Sequence, residues 1–170
     1  MIYEQIVERL RANCDVFKHL LQDVPQDQAR WKPAPERWSL LEIVNHLYDE
    51  EIEDFGRRIE LVLSDPDRPW PPIDPEGWVV QRGYNERNFR KSLSNFLAAR
   101  EASLGWLNEQ KSADWRAIHH HPRMGPMSAE LLLANWLAHD LFHIRQIADV
   151  QFAGLSKQVA PVSLKYSGWE

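Results

Sequence analysis

Residues 136–148 read WLAHDLFHIRQIA, an apolar helical run that carries two histidines four residues apart. Residues i and i+4 are neighbours on a helix surface. With His139 at zero and a turn of about 100° per residue, His143 falls near ~40°. Leu132, Trp136, Ile147 and Val150 share that side, so both imidazoles should point inward, where their ring nitrogens need partners. One divalent cation would satisfy both, and neutral imidazoles suit zinc or nickel, and also iron or copper. The competing reading is a pair of neutral buried histidines satisfied by other side chains.

A catalytic metal usually takes three protein ligands and keeps one position open. No histidine follows His143, so a third imidazole must come from earlier in the chain. His19 falls well off the apolar stripe of the first helical segment. His119, His120 and His121 are adjacent in a loop, and three adjacent side chains rarely converge on one ion. They read mostly as solvated, with room for one at a pocket mouth. His46, in WSLLEIVNHLYDEEIEDF, is left open by its spacing. It lies nearly opposite the main apolar stripe, on a face shared with Glu42, Asp49, Glu50 and Glu53, as a solvated histidine would. Yet Leu40, Ile43 and Leu47 widen the apolar arc to its edge, and the acids could then form a polar pocket wall.

The elements that must position these side chains are four segments of helical period, with no segment alternating like a half-buried strand. The first runs from about Tyr3 to Gln22, striped by Ile6, Leu10, Phe17 and Leu21. The second opens on a capping box, Ser39 with Glu42, and continues to about Ser64 through Leu41, Val44, Tyr48, Ile52, Phe55, Ile59 and Val62. The third, about Asn85 to Glu109, aligns Phe89, Leu93, Phe96, Leu104 and Leu107. The fourth starts at Ser128 as N-cap and reaches Phe152, with Gly154 as its stop. Two long connections separate the later helices, and the proline- and tryptophan-rich SDPDRPWPPIDPEGWVVQRG reads as packed over something. Four such helices form a bundle.

With these elements in place the chain resembles the DinB/YfiT-like superfamily of metal-binding helical bundles. The matching stretches are ERWSLLEIVNHLYDEEIEDF, PWPPIDPEGWVVQRGYNE and HPRMGPMSAELLLANWLAHDLFHIRQI, with the helix between them. The most specific signal is a histidine in the second helix combined with H-D-x-x-H-I-x-Q-I in the fourth. The resemblance implies an all-α, up-down-down-up four-helix bundle and one divalent metal on His46, His139 and His143. It also implies that homodimers are common and that the reaction, where there is one, uses a small-molecule substrate. Some members use low-molecular-weight thiols such as bacillithiol or mycothiol. The family name does not imply a DNA polymerase.

Other residues are candidates around such a site. Asp49 and Glu50, three and four residues beyond His46, could orient a ligand ring or act as a general base, or simply be solvated acids. Arg100 lands on the apolar stripe of the third helix and needs a partner, an acid of the second helix or an anionic substrate. Gln146 is a candidate pocket or supporting residue, and Trp70 and Trp78 are candidates to cover the site. A metal ion with an open position supports hydrolysis or thiol transfer. The alternative is a binding or stress-response module whose metal is structural.

Rival metal chemistries fit less well. H-D-L-F-H resembles the H-E-x-x-H of zinc proteases. Asp140, however, is a methylene shorter than the usual glutamate, and IRQIAD offers no glycine turn to bring Asp149 round. A carboxylate-bridged di-iron site wants inward glutamates on several helices, and the fourth helix has none.

Bulk properties exclude further classes. The chain has 170 residues, 44% hydrophobic and 26% charged, which suits one globular domain over residues 1–170. A net charge of −5 without a basic cluster leaves no nucleic-acid footprint. The opening MIYEQIVERLRANCD has acids and no apolar core before a cleavage site, unlike a signal peptide. Apolar runs are too short for a bilayer. Cys14 is the single cysteine, so a reducing cytoplasm is expected. Its register with Leu10 and Phe17 marks it as a small core residue.

Overall fold

The computed structural model describes residues 2–169. Four long helical rods form the bundle. The first is α1 (Ile2–Leu21), followed by a short α2 (Gln26–Arg30). The second rod is composite: α3 (Leu40–Asp49), a π-helical stretch Glu50–Phe55, and α4 (Gly56–Ser64). A short α5 (Pro75–Gln81) lies in the next connection, before the third rod, α6 (Phe89–Glu109). A hairpin of β1 (Ile118–His121) and β2 (Gly125–Ser128) precedes the fourth rod, α7 (Ala129–Gln158). The rod from α3 to α4 packs on both α6 and α7, and α1 packs on the same two from the opposite side. Rods one and two therefore lie on a diagonal, which the long connections between rods make possible.

Side-chain caps set several helix starts. Ser39 accepts from the Glu42 amide while the Glu42 carboxylate accepts from the Ser39 amide at 2.8 Å. Asp74, Asn88 and Ser128 cap α5, α6 and α7 by accepting from the amides of Gly77, Lys91 and Leu131. The predicted third helix thus starts at Phe89, because Tyr84–Glu86 forms a separate 3-10 turn.

Two apolar clusters fill the bundle, one at each end. The first joins Phe17, Leu21, Leu41, Val44, Phe96 and Ile147. The second joins Leu10, Ile59, Val62, Leu104, Leu133 and Trp136. Between them runs a polar layer of Asn13, Glu51, Arg100 and Asp140. The Arg100 guanidinium, 1% exposed, donates to both oxygens of Asp140 at 2.8 Å and from Nε to Glu51 at 2.9 Å. Asn13 donates to Asp140 at 3.1 Å, so all four rods meet on this layer.

Three sequence expectations are corrected. The second helix is not one regular stripe: Ile52 is 44% exposed and Tyr48 and Phe55 are only half-buried, whereas Glu50, Glu51 and Asp54 are buried. For Ile52 and Phe55 the cause is the π-helical stretch, whose wider turn resets the register. Gly56 closes that stretch, and a Cβ there would lie 2.9 Å from the Glu51 carbonyl. The connection read as irregular holds a two-stranded antiparallel hairpin with His119 opposite Met127. Finally, Gly154 does not stop the fourth helix, which runs on to Gln158. Gly154 is buried inside it, where a Cβ would meet the Trp31 ring at an ordinary 3.7 Å. Gly154→Ala is therefore expected to stabilise the protein by about 0.5–1 kcal/mol, the helix-propensity difference. Urea denaturation would check this, and a loss of stability would contradict the packing described.

Candidate metal centre

Three imidazoles converge beside the polar layer. His46 comes from α3, and His139 and His143 from successive turns of α7. His139 Nε2 stands 3.2 Å from His46 Nε2 and 3.0 Å from His143 Nε2. One nitrogen of each ring lies within 4.8 Å of the other two. His46 and His143 are buried, and His139 is half-buried.

The electrostatics of the cluster favour neutral rings. Burial, with the neighbouring His143 adding to it, pushes His46 down from 6.5 to about 3. Burial and the two other imidazoles bring His139 to about 2. Burial lowers His143 to about 4, against the opposing hydrogen bond it donates to Gln146 and the charge of Asp140. A neutral imidazole has one N–H. His143 Nδ1 lies 2.7 Å from Gln146 Oε1, so its N–H sits there and its Nε2 keeps a lone pair toward the cluster. Three Nε2 atoms facing one another cannot all be satisfied by the protons available. A divalent cation accepts all three lone pairs, so the donor set fits a metal.

Histidines whose pKa is lower in the folded than in the unfolded state bind fewer protons when folded. Stability then falls as pH drops below the unfolded value, about 6.5. Chelator-treated protein is expected to show a steadily falling urea midpoint from about pH 6.5 downward, with a shallower fall in His46→Phe. A midpoint independent of pH over that range would contradict the burial described.

The cluster forms part of the wall of an open pocket of about 790 Å³, shared with Trp38, Glu50, Phe142 and Gln146. The Trp38 ring centre is 4.9 Å from that of His46 and 6.4 Å from that of His143, parallel to the latter within 4°. Phe55 packs on His139 at 5.2 Å. Sequence reasoning missed Trp38, although its place just before the Ser39 cap is where an apolar residue steadies a helix entry.

The remaining candidates lie elsewhere. Asp49 is buried and bonded to Arg82 at 2.6 Å and to the Tyr84 hydroxyl, off the pocket lining. Arg100 meets Glu51 and Asp140 rather than a substrate. Asp140, the residue a protease would use as base, is locked in that ion pair. Trp70 and Trp78 do not cover the histidines. Trp70 stacks on His119 at 4.3 Å under the Arg58 guanidinium, and Trp78 lies beneath Arg82. The part of that connection lining the pocket is Ile73–Glu76. His119, expected in solvent, is 6% exposed, with Nδ1 2.8 Å from the Pro66 carbonyl. His19 is exposed and bonded to the Asp15 carbonyl.

The second and fourth rods of the bundle thus bring together three imidazoles that could hold a metal ion. The family model of the DinB superfamily matches residues 9–147, and the chain belongs to that superfamily. Among solved structures, YfiT from Bacillus subtilis is similar, with a TM-score of 0.77 and 16% sequence identity. The match covers 99% of this chain and 89% of that one. YfiT is described as a probable metal-dependent hydrolase with an unusual four-helix bundle topology. No curated protein matches the chain. Among the described residues no helix is long and apolar enough to cross a membrane.

Proposed function

We propose that this protein is a metal-dependent enzyme that activates a small nucleophile, water or a low-molecular-weight thiol, against a small electrophilic substrate. The observation that carries the reading is the set of three neutral imidazoles presenting Nε2 together at an open pocket. No fourth histidine, cysteine or carboxylate joins that group among the described residues. A structural site is normally closed by four ligands, whereas three leave a position for exchange. The description of YfiT as a probable metal-dependent hydrolase supports the same reading.

His46, His139 and His143 would hold the ion. A divalent ion so held lowers the pKa of a water or thiol, making a nucleophile available near neutral pH. Gln146 fixes the His143 tautomer and ring orientation, a support that metal-ligating histidines commonly need. Trp38 and Phe142 supply apolar wall for the organic part of a substrate.

The test is spectroscopic. Cobalt(II) loaded into the protein is expected to change its visible spectrum when a simple thiol or azide is added, because a coordination position exchanges. A spectrum indifferent to every added ligand would assign the metal a structural role and overturn the proposal.

A further inference from the structure

The stretch from Asp49 to Asp54 carries five carboxylates, and four of them are claimed. Arg82 donates to Asp49 and Glu53, each at 2.6 Å. Arg100 holds Glu51, and Arg58 Nε lies 2.6 Å from Asp54. Glu50 differs. It is 5% exposed, its Oε1 has no hydrogen-bond partner, and it lines the pocket of the three histidines. A buried carboxylate oxygen without a partner costs free energy, which a pocket occupant bearing a proton would recover.

Geometry limits what that occupant can be. No Glu50 oxygen belongs to the group of donor atoms within 4.8 Å of one another, so Glu50 is not a fourth ligand in this arrangement. Its carboxyl instead lies beside that of Asp54. A cation in the pocket would favour the ionised form of Glu50.

We propose that Glu50 is the proton shuttle of this pocket, a role that rests on the nucleophile-activating function proposed above. The O–H or S–H bond of the nucleophile breaks and its proton passes to the Glu50 carboxylate. The nucleophile's electron pair then forms the bond to the substrate's electrophilic atom. As the bond to the leaving group breaks, that group takes the proton back from Glu50, so no charge or proton is left over.

Proton counting on the cobalt-loaded protein tests this without a known substrate. Calorimetric titration with 2-mercaptoethanol, in buffers of different ionisation enthalpy, counts the protons released when thiolate forms. Wild type is expected to release close to none, because Glu50 keeps the proton. Glu50→Gln and the apolar, similar-sized Glu50→Met should each bind cobalt at the wild-type ratio and release about one proton to buffer. Equal counts in wild type and variants would overturn the shuttle and leave the nucleophile-activating function standing. Loss of cobalt from both variants would make Glu50 a ligand and equally overturn it. A wild-type protein that holds cobalt but ignores thiol would overturn both proposals.

Discussion

Arg100→Met should lower the unfolding free energy by about 3–5 kcal/mol, the cost of leaving buried charge without its partner. Arg100 is 1% exposed and answers two acids, Glu51 and Asp140, both also buried. Methionine keeps most of the length, so little of the loss should come from packing. The pH dependence follows from Glu51, whose pKa burial already raises against the pull of Arg100. Without the guanidinium it rises further. A carboxyl with a raised folded pKa binds more protons folded than unfolded, so the deficit should narrow as pH falls toward about 5. Adding Glu51→Gln and Asp140→Asn should recover a substantial part of the loss, since the charges that suffered are then gone. Urea denaturation of the single and triple variants checks both statements. A loss under about 1 kcal/mol in the single variant would mean that the polar layer is not what joins the four rods.

Loading the site should raise thermal stability by a comparable amount. A ligand that binds only the folded protein adds about 4 kcal/mol at a thousandfold excess over its Kd. At roughly 2–4 °C per kcal/mol for a chain of this size, the expected rise in Tm is about 8–16 °C. Zinc, nickel and cobalt should all produce it, to different degrees. Scanning calorimetry of chelator-treated protein, before and after metal addition, measures it directly. The rise should largely vanish in His139→Ala, whose nitrogen stands between the other two. A Tm unchanged by any divalent metal would contradict the site.

Much of this arrangement is legible in the sequence because periodicity reports burial wherever a helix has one covered side. The rods α1 and α6 satisfy that condition, and Leu10, Phe17, Phe96 and Leu104 are buried as their spacing predicts. Arg100 stands out for the same reason, as a charge on an apolar stripe. The periodicity could not place His46, and the cause is physical. Every residue from Leu40 to Leu47 is buried, because α2, α5 and the Tyr84–Glu86 turn cover the side of α3 that the bundle leaves free. A helix covered all round has no stripe to read. The π-helical stretch then resets the register, which hides that Glu50 and Glu51 serve different neighbours. Resemblance to the superfamily named His46, and the coordinates bring it to the other two histidines. The tryptophans misled for a simpler reason. Large rings in a long connection signal packing, but nothing in their spacing says against what. Trp70 answers Arg58 and His119, while the ring against the histidines is Trp38.

Metal content of the purified protein, measured by elemental analysis on wild type and on folded His46→Ala, bears most directly on the three-imidazole centre. About one divalent ion per wild-type chain, and affinity lower by roughly 10²–10³-fold in the variant, is the expected result. A His46→Ala protein that keeps its full complement of metal would contradict it.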